Sequence, residues 1–595
     1  MEPSEQPRAL TEAAQRNVVA FAKLLGYVRY FHPSDEACAT DWESFAINGI
    51  RAIEGARGPS GLASTLEDLF RPIAPTVRVF PTGQRVRMPG ALAPPTRQAG
   101  IKAVRWHHLG LGPGGGIYHS ERMRGPLANG TLPSGWRSPD RPFRAELGGG
   151  VSCLVPLTLY ADREGTIPRP PARPGAGPEE PAPALVRSGN NRTTRLAAVA
   201  LAWNIPQHFY PYFDVVRTDW PRALSRALRQ AALDADERAF LDTMRGMVAA
   251  LKDGHGRVSH PCEGELFVPA VCLDLAQKRV VVTHVAAGGP RAVRRGDVVL
   301  TVNGEPAAQA ARRVGALISS ATPQWKQVRT MRELLAGPKG SVVAGTVSRG
   351  GGPARSVRLR RTVRLGAVRE PRPDKVAEVR PGVIYVDLDR IAQSDWDAAL
   401  PALQSAQAIV FDLRGYPYRY DPVLLGHLRD RALRSPEWRL PIITQPDGIG
   451  MSFAKSHWTV PRLEPRLRAR VAMLTGGGAI SAAEQWVAMF EHYRLGEVVG
   501  GPTAGTNGNV NPFTTPGGYW VCWTGLKVLK HDGSQHHGVG ILPTVPVSRT
   551  LEGVAAGRDE VLERAIEVLL SPTQPPPHRP TTASSRRRDS ALRGR

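Results

Sequence analysis

Cysteine is scarce in this 595-residue chain, with five residues at Cys38, Cys153, Cys262, Cys272 and Cys522 and no CxxC pair among them. That excludes a dense disulfide framework and a cysteine zinc site, and leaves buried, unreactive thiols as the expectation. Long apolar runs are missing too. No stretch approaches the roughly 18 uninterrupted apolar residues of a membrane span, so none is expected. Residues 1–17 lack the basic start, apolar stretch and small-residue cleavage site of a secretory signal. The expected compartment is therefore the cytoplasm if this start is complete, and an exported location if it is truncated. Acidic residues are fewer than basic ones, 53 against 77, giving a formal charge of +24. The excess is spread along the chain, apart from six Arg against Asp589 in 576–595, and it forms no basic stripe interleaved with aromatics. Charge of this kind supports only non-specific attraction, so no specific nucleic-acid partner is expected.

What is present reads as a multidomain α/β chain, because 595 residues exceed what one hydrophobic core sustains. An internal echo comes first. Phe31-His32-Pro33 is followed by Asp41-Trp42, and Phe209-Tyr210-Pro211 by Asp219-Trp220, each after a helix-periodic apolar stretch. These predict two related helical regions, at 1–84 and 192–262. Between them, 85–167 carries short apolar segments broken by Gly and Pro, an inserted β-rich unit. Its Gly110–Gly115 run has the GxGxxG form without a following Lys-Ser/Thr, so it reads as a hairpin loop. His107, His108 and His119 nearby complete no metal-ligand spacing and read as loop residues, so no metal and no cofactor are expected. The Pro-rich stretch 168–191 reads as a linker. Short strands fill 263–365, strands alternate with helices over 366–570, and the Pro/Ser/Arg-rich tail 571–595 reads as disordered.

The chemistry is most visible where Thr475-Gly476-Gly477-Gly478-Ala479-Ile480-Ser481 ends an apolar strand and Ala482-Ala483-Glu484 opens a helix. A hydroxyl there would meet free amides and the positive end of a helix, which favour developing negative charge. Ser481-x-x-Glu484 is equally the spacing of a capping box, and taken alone these residues favour the cap.

Their company changes the reading. Asp412-Leu413-Arg414-Gly415 closes an apolar strand, and Leu251-Lys252-Asp253-Gly254-His255 closes a helix. Gly296-Asp297-Val298-Val299 and Val302-Asn303-Gly304 lie between them. Downstream come Gly500-Gly501-Pro502-Thr503-Ala504-Gly505, Gly538-Val539-Gly540-Ile541-Leu542-Pro543 and Gly557-Arg558-Asp559-Glu560. In this order, over 192–570, the set resembles the C-terminal-processing (tail-specific) and tricorn-like serine peptidases. The resemblance implies a crotonase-like ββα peptidase core with a PDZ-like β domain, acting on peptide or unfolded protein. It places Ser481 as nucleophile, and the Gly415 and Ala482 amides as oxyanion donors.

One branch of that family uses a Lys as base, but the matching position is Thr506, which cannot accept a proton at neutral pH. The tricorn-like branch uses a His ahead of the PDZ-like region, and His255 matches it. The Glu of that branch falls on Gln535, which can orient a ring but cannot stabilise imidazolium by charge. The alternative is a non-catalytic peptide-binding protein on the same fold. The sequence gives no sign of oligomeric state.

Overall fold

A computed structural model describes residues 5–571 apart from 89, 94–99, 115, 128–130, 170–184, 186 and 419–421. Most of the Pro-rich linker and nearly all of the basic tail thus lie outside the described residues.

The sheet that carries the site has six strands, ordered Val376–Arg380, Val383–Asp387, Ala408–Asp412, Arg470–Thr475, Glu497–Gly500 and Val545–Pro546. The first pair is antiparallel and the others parallel. Alternation along the strands feeds two cores. Ile409, Phe411, Val471 and Met473 face Trp396, Trp486 and Phe490. Val410, Ala472 and Leu474 face Leu562 and Leu569 on the opposite side. Burial on both faces is why these strands read as unbroken apolar runs.

The helix Ala482–His492 buries Ala483, Trp486, Val487 and Phe490, a stripe at helical spacing. Each large apolar side chain buried this way contributes about 1.5–3 kcal/mol. Arg494, at φ 53°, ends the run.

A second sheet, Val271–Ala276, Arg279–Val285, Val298–Val302, Val342–Ser348 and Arg355–Arg360, encloses its own small core with helices Ala307–Ala316 and Pro323–Glu333. The internal echo folds alike in both copies. Helices Glu12–Phe31 and Arg192–Phe209 end at His32 and Tyr210 with nearly the same backbone angles, −79°/120° and −74°/117°. Asp41 and Asp219 then cap the following helices. Phe31 and Phe209 stack, 6.3 Å between centroids.

Within 85–167, His107 and His108 lie on the strand Lys102–Pro113 and His119 on the strand His119–Pro126, not in loops. His108 is buried, its Nε2 2.8 Å from the Tyr30 carbonyl and its Nδ1 2.8 Å from the Ser120 hydroxyl. Gly110 and Gly112 lie within the first strand of that hairpin, and this strand also pairs with Trp438–Ile443. Cys153 and Cys522 are buried, whereas Cys38 and Cys262 are exposed, contrary to the expectation of burial throughout.

Candidate active site

Ala408–Asp412 and Arg470–Thr475 are adjacent and parallel, with Asp412 opposite Leu474. Their C-terminal ends therefore emerge side by side, the usual place for a site in a parallel sheet. One leads to Arg414-Gly415, the other to the turn that delivers Ser481. Gly477 and Gly478 leave room for backbone there. A Cβ on Gly477 would lie 2.8 Å from the Gln324 carbonyl, and one on Gly478 2.6 Å from that of Arg414.

The capping box is not formed. Ser481 precedes the helix at φ 58°, ψ −116°, and its side chain makes no cap hydrogen bond. A β-carbon-bearing residue in that region stores backbone strain, as exposed nucleophiles on strand-to-helix turns do. Two bonds hold the turn, from the Ser481 amide to the Thr506 carbonyl (2.9 Å) and from the Ala504 amide to the Ala479 carbonyl (2.8 Å). Glu484 points elsewhere, accepting from the Thr503 hydroxyl (2.5 Å) and the amides of Gly505 (2.7 Å) and Thr506 (2.8 Å). His536 Nε2 lies 3.2 Å from the same carboxylate. Among the described residues, the Gly415 and Ala482 amides have no acceptor within the chain.

His255 arrives from a different part of the molecule. Helix Glu237–Ala249 ends, Lys252 turns at φ 52°, and strand Arg257–Ser259 pairs with Trp520–Cys522. That pairing sets His255 beside Thr524, 269 residues away in sequence. Its Nδ1 lies 2.9 Å from the Thr524 hydroxyl. This hydroxyl lies 2.6 Å from Asp253 Oδ1, and the Thr524 amide donates to Asp253 Oδ2 at 2.6 Å. A carboxylate only accepts, so the hydroxyl proton goes to Asp253, and the oxygen's remaining role is to accept from Nδ1–H. The neutral ring thus carries its proton on Nδ1 and leaves Nε2 as a free acceptor. Burial pushes the ring below the ordinary histidine value, with the charges of Asp253 and Glu484 opposing. Sequence reasoning missed Asp253 and Thr524 as the groups bonded around His255. The only early sign was Asp253 two places before His255.

The two loops touch. A Cβ on Gly254 would lie 2.5 Å from the Thr506 hydroxyl oxygen and 3.2 Å from Ile480 Cδ1. The Gly254 amide donates to that hydroxyl at 3.1 Å, and the Trp325 indole donates to the Gly254 carbonyl at 2.9 Å. Residues next to His255 thereby pack against residues next to Ser481. Thr506, dismissed as a base, is the buried tie between the two loops.

Gln535 is not brought to His255. It is exposed, its amide nitrogen donates to the His537 carbonyl at 2.7 Å, and among the described residues no hydrogen bond joins it to His255. Counting along a motif assigned it; the β-pairing through space gives the ring a different partner. His260 stacks on Tyr519, His531 on His492 and His537 on Tyr212. Among the described residues no three His, Cys, Asp or Glu side chains could hold a metal ion together.

A clamp of charges fixes the Gly415 loop. Arg414 makes bonds of 2.8 Å to each oxygen of Asp559, which also caps helix Glu560–Leu570. Its other face bonds Asp412 at 2.6 Å. Although burial opposes it, Arg414 and Arg372 hold the Asp412 carboxyl well below the usual range. Asp389, against Gly415, is pushed up to about 6 by burial, with Asp412 and Asp387 adding to the rise and Arg372 opposing it. A Cβ on Gly415 would lie 2.2 Å from an Asp389 oxygen. Ser481, His255 and Gly415 all line one cleft of about 2410 Å³.

Residues 440–547, the stretch that contains Ser481, match the sequence model of peptidase family S41. No curated protein sequence matches the chain. Among solved structures, mature CPAF shares the fold at 14% identity and TM-score 0.51, covering 63% of this chain and 96% of that one. The photosystem II D1 C-terminal processing protease aligns at 19% identity and TM-score 0.37, covering 62% of this chain and 98% of that one. The tricorn protease aligns at 14% identity and TM-score 0.34, covering 64% of this chain and 36% of that one.

Proposed function

We propose that the chain hydrolyses peptide bonds through an acyl-enzyme on Ser481, with His255 as general base and Thr524 and Asp253 holding the base in position. The observation that carries this is the packing of the Asp253-Gly254-His255 loop on the Ile480-Ser481 turn, with Nδ1 committed to Thr524.

Ser481 Oγ attacks the scissile carbonyl carbon while its proton passes to His255 Nε2. The carbonyl oxygen, now negative, accepts from the amides of Gly415 and Ala482. Losing one such donor typically costs about 2.7–4 kcal/mol in the transition state. The tetrahedral intermediate collapses, the C–N bond breaks, and Nε2–H gives the departing amine its proton. Water then repeats the sequence on the ester, returning Ser481 and releasing the acid. The imidazolium formed on the way is stabilised by Asp253 through the Thr524 hydroxyl, an arrangement that needs no carboxylate at position 535.

In this reading 366–570 is a crotonase-like core, and 263–365, with its six-stranded antiparallel sheet and two helices, is a PDZ-like unit that receives an extended peptide. The helical regions 1–84 and 192–262 and the insert 85–167 would frame them. Digestion of denatured casein tests the assignment: the native chain is expected to degrade it, and the Ser481→Ala chain is not. Equal degradation by both would end the role of Ser481.

A further inference from the structure

The cleft around Ser481 is lined by more cations than the chain neutralises. Most of its arginines are paired: Arg238 and Arg245 with Glu263, Arg329 with Glu333, Arg414 with Asp559, and Arg549 with Glu370. Arg257, Arg332 and Arg369 also line it, and among the described residues none of these three side chains has a hydrogen-bond or ion-pair partner. All three are exposed to the open cleft while protein walls them in.

Their placement is built rather than incidental. Helix Pro323–Glu333 is fastened to the catalytic loops at its start. Thr322 donates to the Ala504 carbonyl at 2.6 Å, Gln324 to that of Thr503 at 2.7 Å, and Trp325 to that of Gly254 at 2.9 Å. Trp325, Arg329 and Arg332 follow at i, i+4 and i+7, one helical stripe. The anchoring of Trp325 therefore sets the guanidinium groups over the cleft, and a terminal nitrogen of Arg332 reaches to 4.0 Å from where a Gly478 Cβ would be. Arg257 comes from the other wall, two residues after His255. Burial and mutual repulsion lower Arg332, facing Arg329 and Arg369, and Arg257, facing Arg329, below the ordinary arginine value. An incoming anion would relieve that repulsion.

We infer that this cleft selects peptides bearing Asp or Glu side chains near the scissile bond, with Arg332 and Arg257 as the carboxylate-binding residues. This deepens the peptidase reading and rests on it only for the position of the scissile bond. Guanidinium groups suit the task because their fork geometry matches a carboxylate and they stay charged.

The experiment measures binding, with catalysis removed. The Ser481→Ala chain is titrated into dye-labelled, N-acetylated and C-amidated peptides identical except for Glu, Gln or Lys at two central positions. The Glu peptide is expected to bind about 10- to 100-fold tighter than the Gln peptide, as charged hydrogen bonds of this kind imply. That margin should shrink with salt, and in Arg257→Gln/Arg332→Gln it should fall to within about threefold, if each lost contact carries most of its share. Labelling of Ser481 by a fluorophosphonate in a chain that carries both arginine substitutions but keeps Ser481 checks that the site is intact. Equal binding of the Glu and Gln peptides by the Ser481→Ala chain overturns the inference, and needs no arginine variant to be read. So does a Glu preference undiminished in the double variant. A chain that prefers Glu peptides in binding but cleaves none would overturn hydrolysis and leave the carboxylate site standing.

Discussion

Thr524→Val removes one hydroxyl and keeps the shape of the side chain. Two bonds go with it, the 2.9 Å contact from His255 Nδ1 and the 2.6 Å bond to Asp253 Oδ1. Asp253 keeps the amides of Thr524 and His255, so the loop retains its frame. A hydrogen bond to a charged group contributes about 1.5–3 kcal/mol. If that is felt mainly as imidazolium forms, kcat should fall about 10- to 100-fold with KM little changed. The pH profile should move as well. Activity requires neutral His255 and rises with pH through its titration, at a midpoint that burial sets below the usual value of roughly 6.5. Valine takes away the acceptor of Nδ1–H and weakens the link to Asp253, so the protonated ring is less favoured and the midpoint should drop further. Thr524→Ser restores the hydroxyl and should recover most of both. The assay is kcat and KM on a quenched peptide between about pH 5 and 8, the range in which histidine titrates. A folded Thr524→Val chain with native kcat and an unmoved midpoint would refute the relay.

Gln535→Glu should leave the pH profile and kcat within about twofold of native, since residue 535 bonds His537 and no charge is placed beside His255; a rise in both would return that residue to the site. Gly415→Ala drives a β-carbon toward Asp389, so the loop must shift and kcat should fall by about 10²-fold or more, the loss typical of one oxyanion donor. Thr506→Ala orphans the buried Gly254 amide, a cost of about 1–3 kcal/mol readable in urea unfolding, and should lower activity as the two loops loosen. Arg414→Ala leaves Asp412 and Asp559 without their shared partner and should destabilise the core by about 3–5 kcal/mol.

Much of the parallel-strand sheet and its helix was legible because its signals are local. Val383–Asp387, Ala408–Asp412 and Arg470–Thr475 are short apolar runs bounded by turn residues, and the helix at 482 has a clear apolar stripe. Ser481 was ambiguous for a physical reason: one spacing fits both a capping box and a strained strand-to-helix turn, and only the positive φ and the bonding of buried Glu484 to the Gly505 and Thr506 amides separate them. Thr524 was invisible because its partner is fixed by strand pairing across 269 residues, with no periodicity in between to announce it. Gln535 was assigned by counting along a motif, which carries no information on the local bond its side chain makes to the His537 carbonyl. The histidines of the insert read as loop residues because the glycines beside them hid a long hairpin, which then packs His108 against Tyr30.

The most direct test is a fluorophosphonate reacted with the native chain near neutral pH, its adduct located by peptide mass spectrometry, and its rate compared with that of His255→Ala. The expected result is a single adduct on Ser481, formed at least about 10²-fold more slowly without His255, the lower end of what a general base supplies. An adduct on another residue, or equal rates in the two chains, would contradict it.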